Sequence, residues 1–348
     1  MDIKKIDKKM DDAKLSSVNT KWYSSAFVDY NVHGLYWFKE NSSYKRLRDN
    51  ISISEGVDNL SAHPSGAYLS FKSNTTAISL RVKLANNAYM SHMSACGQCG
   101  LDLYFLHKNE YIFLATTKIN KAEYEITIVS KLDKSDREYR LYLPLYIKLI
   151  SLEIGIDSDS YIEKCEEYKD EAIVCYGTSI SQGGCATRPG MNYTSILGRM
   201  LPNYEVYNLG FSGSAKLEEQ IAREIVSMKN VKYLIIEAEA NTGSKLLLER
   251  FKNFMDIITK TNIAKIFVIT HYPLNLALVK ESEKKELAKA FKIQKEISSC
   301  YNNVVFIDGK KPLKFLNYEE TVDGYHLTDL GFYVIAKFFA NLIRKNEI

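Results

Sequence analysis

The sequence predicts a two-part protein, an antiparallel β sandwich followed by an α/β half built on a doubly wound parallel sheet. Three observations carry that prediction. From about Trp22 to Ile156, short apolar runs alternate with polar residues, as in AYLSFKSN, AISLRVKL, EYIFLATT, EYEITIV and EYRLYLPLYIKLISLEI, with turn formers between them. A period of two, dense in Tyr and β-branched residues, fits half-buried antiparallel strands. Next, the charged stretch Tyr161 to Glu171 (YIEKCEEYKDE) reads as a linker. Beyond it the short apolar runs AIVCY, EVYNL, YLIIE, KIFVIT and VVFID alternate with LEEQIAREIVSM, LLLERFKNFMDIITK and KKELAKAFKIQKEISSC, whose apolar residues recur at three and four. Strands alternating with amphipathic helices specify right-handed crossovers and a parallel sheet covered on both faces. The expected division is residues 1–160 as sandwich, 161–171 as linker and 172–348 as the α/β domain.

Length agrees with two units, because 348 residues exceed the size at which single cores usually stop growing. Hydrophobic residues make up 46% and charged residues 25%, which excludes a disordered or fibrous chain. The 46 basic and 42 acidic residues are interspersed, so the net +4 forms no stripe and nucleic acid is not an expected partner. The start, MDIKKIDKKMDDAK, lacks the apolar core of a secretory signal, and no later run is long enough to span a membrane. A soluble, cytoplasmic protein with no membrane partner is expected. Its six cysteines do not suggest a disulfide scaffold; Cys96 and Cys99 have the spacing of half a zinc site, but no second pair completes it.

In a doubly wound sheet, ligands bind beyond the carboxyl ends of the strands. The first such strand runs into YGTSISQGG, which places Ser179 after a tight turn at Gly177. The second runs into NLGFSG, where Gly210 and Gly213 allow backbone N–H groups to converge on a developing charge. The third, YLIIEAEAN, carries Asn241 at its far end, and near the C terminus VDGYHLTDLGF carries Asp323 and His326 three apart, ahead of a last helix over about Thr328 to Arg344. Each piece has an ordinary alternative: a loop serine, a turn glycine, a capping Asn, an Asp-Gly turn. Their succession after consecutive strands is what sets them apart.

These four blocks resemble those of the SGNH or GDSL-like hydrolases. GTS at Gly177 to Ser179 looks like the nucleophile block, NLGFSG with Gly213 the second, Asn241 the third, and DGYH the last. GLDLY (Gly100 to Tyr104), YRLYLPLY (Tyr139 to Tyr146) and YGTSISQGGCATRPG are similar to the subgroup with an N-terminal β-sandwich domain. The resemblance implies a flavodoxin-like sheet preceded by a jelly-roll-like sandwich. It implies a Ser179–His326–Asp323 triad, with an oxyanion hole made by Ser179, Gly213 and Asn241. It also implies a serine esterase that needs no metal or organic cofactor and removes a small acyl group, O-acetyl first, from a carbohydrate or oligosaccharide. The alternatives are an acyltransferase using the same acyl-enzyme and an inert carbohydrate-binding protein. Two departures stand out: EAEAN replaces an acidic residue followed by Pro-Asn, which predicts a looser Asn241 loop, and HLTD replaces HPTD. Ser181 is expected to bond within the loop, His271 lies on the catalytic rim, His92 lines the cleft if the sandwich folds against it, and the sandwich tyrosines offer either stacking faces for sugars or, as is commoner for aromatic residues in strands, ordinary packing.

Overall fold

The computed structural model describes residues 19–24, 31–118, 121–166 and 169–347. The MDIKKIDKKMDDAK stretch and residues 167–168 of the expected linker lie outside them. Nine described strands precede the linker: β1 (Thr20–Ser24), β2 (Asn31–His33), β3 (Tyr68–Ser73), β4 (Ile78–Leu84), β5 (Asp102–His107), β6 (Glu110–Thr116), β7 (Glu123–Val129), β8 (Arg137–Tyr142) and β9 (Leu149–Asp157). They form two antiparallel sheets, ordered β1-β9-β4-β7 and β2-β3-β8-β5-β6. On β4, Ile78, Leu80, Val82 and Leu84 are buried while Arg81 and Lys83 face water, the alternation the sequence displays. Between the sheets lies one core that includes Leu69, Phe71, Leu103, Leu141, Leu152 and Ile154.

The third sheet contains β10 (Glu171–Gly177), β11 (Tyr204–Gly210), β12 (Val231–Glu237), β13 (Lys265–Ile269) and β14 (Val304–Ile307), all parallel, in the order β11-β10-β12-β13-β14. That is the flavodoxin-like order, with the topological switch beside β10. The side chains of β10 alternate between two apolar layers, Ile173 and Cys175 on one face and Ala172, Val174 and Tyr176 on the other. The last helix, Asp329–Lys345, covers the first face with Phe332, Ile335, Ala336, Phe339, Ala340 and Ile343, spaced at three and four, and Thr328 caps it by accepting from Gly331 N.

Two features depart from the sequence pattern. Trp37, Leu47 and Val57, which precede β3, join the core on the second face of the parallel sheet rather than the sandwich core. The helix expected to begin near Leu246 starts at Glu239, with Gly243 (φ 55, ψ −175) interrupting it. Asn241 therefore lies in a helical turn, not at the end of a strand: the N–H groups of Asn241 and Thr242 both donate to Ala238 O at 3.1 and 3.2 Å. Ala240, which stands where the resemblance has proline, lies inside that turn. Among the described residues no helix is long and apolar enough to cross a membrane.

Candidate active site

Ser179 opens a one-turn helix, Ser179–Gln182, immediately after β10, where Thr178 caps by accepting from Ile180 N. Opposite it, the segment Asp323–His326 forms a turn whose geometry is set locally. Asp323 Oδ1 accepts from Tyr325 N at 3.0 Å and from His326 N at 2.8 Å. Gly324 takes φ 87, a left-handed conformation that glycine adopts at little cost. A backbone bond from Val322 N to His326 O (2.8 Å) closes the loop.

The two segments meet at the side chains. His326 Nδ1 lies 2.7 Å from Asp323 Oδ2, and Nε2 lies 2.9 Å from Ser179 Oγ. A carboxylate only accepts, so Nδ1 carries the proton and the serine hydroxyl donates to the Nε2 lone pair. Partial burial works to raise the Asp323 pKa, but hydrogen bonds from His326 N, its imidazole and Tyr325 N outweigh it and hold the carboxyl below its usual range. Asp323 thus stays ionised at neutral pH. The order Ser-Asp-His along the chain and the spacing of three are met here in space.

The other expected positions lie around the serine. Gly213 follows β11 at φ 65, with open space where a side chain would stand. The Asn241 amide donates one N–H to Phe211 O at 3.1 Å, which fixes the group and leaves its second N–H available. Ser181 is buried and bonds Tyr193 OH at 3.0 Å, as a loop-holding residue does. His92 stands with its ring centroid 5.7 Å from that of His326. His271 is buried instead, its Nδ1 2.6 Å from Tyr272 O, and meets the site edge-on through Tyr325. The tyrosines Tyr68, Tyr104, Tyr139 and Tyr142 do not offer stacking faces: they are buried, and three of them pack on the guanidinium groups of Arg140, Arg188 and Arg199. Cys96 and Cys99 sit in a short helix (Ala95–Cys99), and the described residues bring no other metal-binding side chains into one group with them.

Beneath the serine lies a scaffold that the motifs did not announce. Glu237, at the end of β12, accepts from Thr178 Oγ1 at 2.7 Å and Thr178 N at 3.2 Å. Complete burial pushes its carboxyl up to about 7 despite those bonds. Arg46, also fully buried, donates to Gly210 O (2.7 Å) and Asn208 O (3.0 Å) and lies 4.7 Å over the Phe211 ring, so it braces the loop that ends in Gly213. Gln182 accepts from Ser212 N at 2.9 Å and joins the two loops. Asp102, from GLDLY, bonds Arg188 Nη1 and Gly190 N, both at 2.8 Å, and Tyr104 OH bonds the same guanidinium at 2.6 Å. GLDLY and ATRPG are therefore two sides of one clamp between the sandwich and the serine loop.

Residues 20–162 match the model for the GxDLY N-terminus of SGNH hydrolase-type esterases, and residues 170–344 match that of the GDSL-like lipase/acylhydrolase family. The chain belongs to the GDSL-like lipase/acylhydrolase family. It is accordingly a hydrolase of carboxylic esters. A Bacteroides ovatus ATCC 8483 protein described as a GDSL-like lipase is 27% identical to this GDSL-like enzyme, over 94% of this chain and 98% of its own, with a TM-score of 0.87. The salicylyl-acyltransferase SsfX3 of a tetracycline biosynthetic pathway shares the fold at 16% identity (TM-score 0.71, 92% and 96% covered). So does a family two carbohydrate esterase from Clostridium thermocellum, solved with cellohexaose, at 12% identity (TM-score 0.57, 81% and 92% covered). No curated protein matches the chain significantly.

Proposed function

We propose that this GDSL-like enzyme is a serine acetylesterase that removes O-acetyl groups from a carbohydrate or short oligosaccharide. The unbroken path of hydrogen bonds from Ser179 through His326 to Asp323, at 2.9 and 2.7 Å, carries the proposal. A serine hydroxyl attacks an ester only when a neighbouring base takes its proton. As Ser179 Oγ bonds to the acyl carbon, His326 Nε2 takes the hydroxyl proton, and Asp323 stabilises the imidazolium. The carbonyl π electrons become an oxyanion facing the N–H groups of Ser179 and Gly213 and the second N–H of Asn241. As the oxyanion re-forms the carbonyl, the bond to the sugar oxygen breaks and that oxygen takes the imidazolium proton to leave as a hydroxyl. Water, giving a proton to the same His326, then adds to the acyl carbon, and the acyl–Oγ bond breaks as Ser179 Oγ takes that proton back and acetate departs.

Carbohydrate is the favoured class because the shared fold extends to a carbohydrate esterase and because Tyr325, beside His326, keeps about 45% of its surface exposed. An aromatic face next to the base suits the apolar side of a sugar ring. In this reading the sandwich domain falls within residues 1–160, 161–171 form the connection and 172–348 the catalytic domain, whose core Trp37, Leu47 and Val57 complete from the first segment, with the Asp102–Arg188 clamp joining the two domains.

The deciding measurement is hydrolysis of p-nitrophenyl acetate, butyrate and octanoate, then of acetylated oligosaccharides, by wild type and Ser179→Ala. Acetate is expected to be cleaved best, and the variant to lose at least roughly a thousandfold. A Ser179→Ala protein as active as wild type overturns the triad. A preference for octanoate overturns the acetyl assignment.

A further inference from the structure

At the mouth of the site two side chains that acyl transfer does not use, His92 and Cys185, stand against the Asp323–His326 pair that it does. His92, Cys185, Asp323 and His326 each offer one ligand atom, and these four atoms lie within 4.8 Å of one another. Tetrahedral ligands on a zinc ion, with bonds of roughly 2.0–2.3 Å, sit about 3.3–3.8 Å apart, so about an ångström of adjustment closes the set. His92 is exposed, which gives an ion a way in from water. Cys185 is buried, and its backbone is left-handed at φ 71, where residues other than glycine are uncommon. That conformation brings a thiol to the edge of the Asp323–His326 pair. Among the described residues its sulfur makes one hydrogen bond, a long one of 3.5 Å to His92 O.

We propose that His92, Cys185, Asp323 and His326 bind a zinc-class divalent cation, and that binding switches the esterase off. The inhibitory half rests on the reading of His326 as the general base. Two imidazole nitrogens, a thiolate and a carboxylate favour Zn²⁺ over Mg²⁺ or Ca²⁺, which prefer oxygen throughout. A neutral imidazole has one nitrogen lone pair. If the ion takes Nε2, the base is blocked; if it takes Nδ1, Nε2 must carry the proton and cannot receive one from Ser179. Binding forms the sulfur–metal bond as the Cys185 thiol gives its proton to solvent. Burial, and after it the Asp323 charge, push that thiol up to about 12, and a bound dication reverses the effect by stabilising the thiolate.

The test uses the full chain stripped of metal by a chelator and then dialysed. Zn²⁺ is expected to abolish hydrolysis, a chelator to restore it, and Mg²⁺ to leave it unchanged. Cys185→Ser and His92→Gln, neither of which takes part in acyl transfer, are each expected to weaken zinc inhibition by at least about tenfold. Co²⁺ absorption gives a readout independent of activity. A thiolate-to-cobalt charge-transfer band is expected in wild type and in Ser179→Ala, and not in Cys185→Ser. Zinc inhibition of equal potency in both variants, or no such band in wild type, overturns the proposal. Should the protein cleave no ester, the cobalt band still decides the metal site, so the failure of one reading is separable from the failure of the other.

Discussion

The turn that carries Asp323 and His326 and the loop that carries Ser179 hold their side chains by different means. The turn is local and open to water: its bonds join residues two to four apart, and the Asp323 and His326 side chains keep 31% and 24% of their surface exposed. The serine loop is held from a distance and from below: Glu237 and Asp102 reach it from other strands, Gln182 ties it to the second loop, and Arg46 braces that second loop. In the proposed mechanism the turn carries the proton chemistry, with little load on folding. The loop concentrates buried polar groups, each costly to leave unpaired. Substitutions in the two regions should therefore separate activity from stability.

The largest separation is expected at Asp323. Asp323→Asn keeps the size of the side chain but lets His326 take the wrong tautomer, so kcat falls roughly a thousand- to ten-thousandfold. Because the residue is partly solvated, the melting temperature should stay within a degree or two of wild type on the usual scale for surface changes. Parallel kinetics and thermal melts check this. A large drop in melting temperature would mean that the turn is also structural and the comparison is misdrawn.

Arg188→Ala reverses the signature. It leaves the Asp102 carboxyl wholly buried, where burial already raises its pKa against the opposing pull of Arg188. Breaking a buried pair costs about 3–5 kcal/mol, and Gly190 N, which still bonds the carboxyl, should hold the loss toward the lower figure. Urea unfolding measures it. Asp102→Asn, which retains an acceptor for Gly190 N without the charge, should lose less. Equal losses in the two variants would show that the charge pair is not what clamps the serine loop.

Asn241→Ala falls between the regions. Removing one oxyanion donor costs about 3–4 kcal/mol of transition-state stabilisation, seen in kcat with KM little changed. The Phe211 carbonyl also loses its 3.1 Å bond, so a smaller loss of stability should accompany it. A change confined to stability would remove Asn241 from the oxyanion hole.

The same contrast explains what the sequence made legible. Ser179, Asp323 and His326 could be read because each lies in a short stretch whose order follows the strand ends of a doubly wound sheet. The sandwich was legible because strands such as β4 alternate strictly. Arg46 was not, since its partners Asn208 and Gly210 lie more than 160 positions away and nothing in its own neighbourhood marks one arginine among the basic residues. Glu237 was visible only as an acidic residue in EAEAN. The place of Trp37, Leu47 and Val57 is not legible either, because their segment has no clear period and burial against the other sheet is a tertiary choice that propensity does not encode. The displaced start of the Asn241 helix has a nearer signal, the run of helix-forming Ala and Glu at 237–240.

The smallest expected effect depends on pH and concerns Glu237 alone. Its folded pKa of about 7 stands above the ordinary 4.5. Between those two values the folded state holds a proton that the unfolded state has released, so this group's contribution declines as pH rises from about 4.5 to 7. Glu237→Gln cannot ionise and keeps an oxygen to accept from Thr178. Its stability relative to wild type should rise by on the order of 2 kcal/mol between pH 5 and pH 8, measured by urea unfolding. His63, held down to about 3 by burial and then by Arg46, works in the opposite sense over pH 6.5 to 3, but both proteins carry it and the difference cancels. A pH-independent difference would mean that Glu237 titrates in the folded state as it does in the unfolded chain, and that the floor under Ser179 is charged throughout.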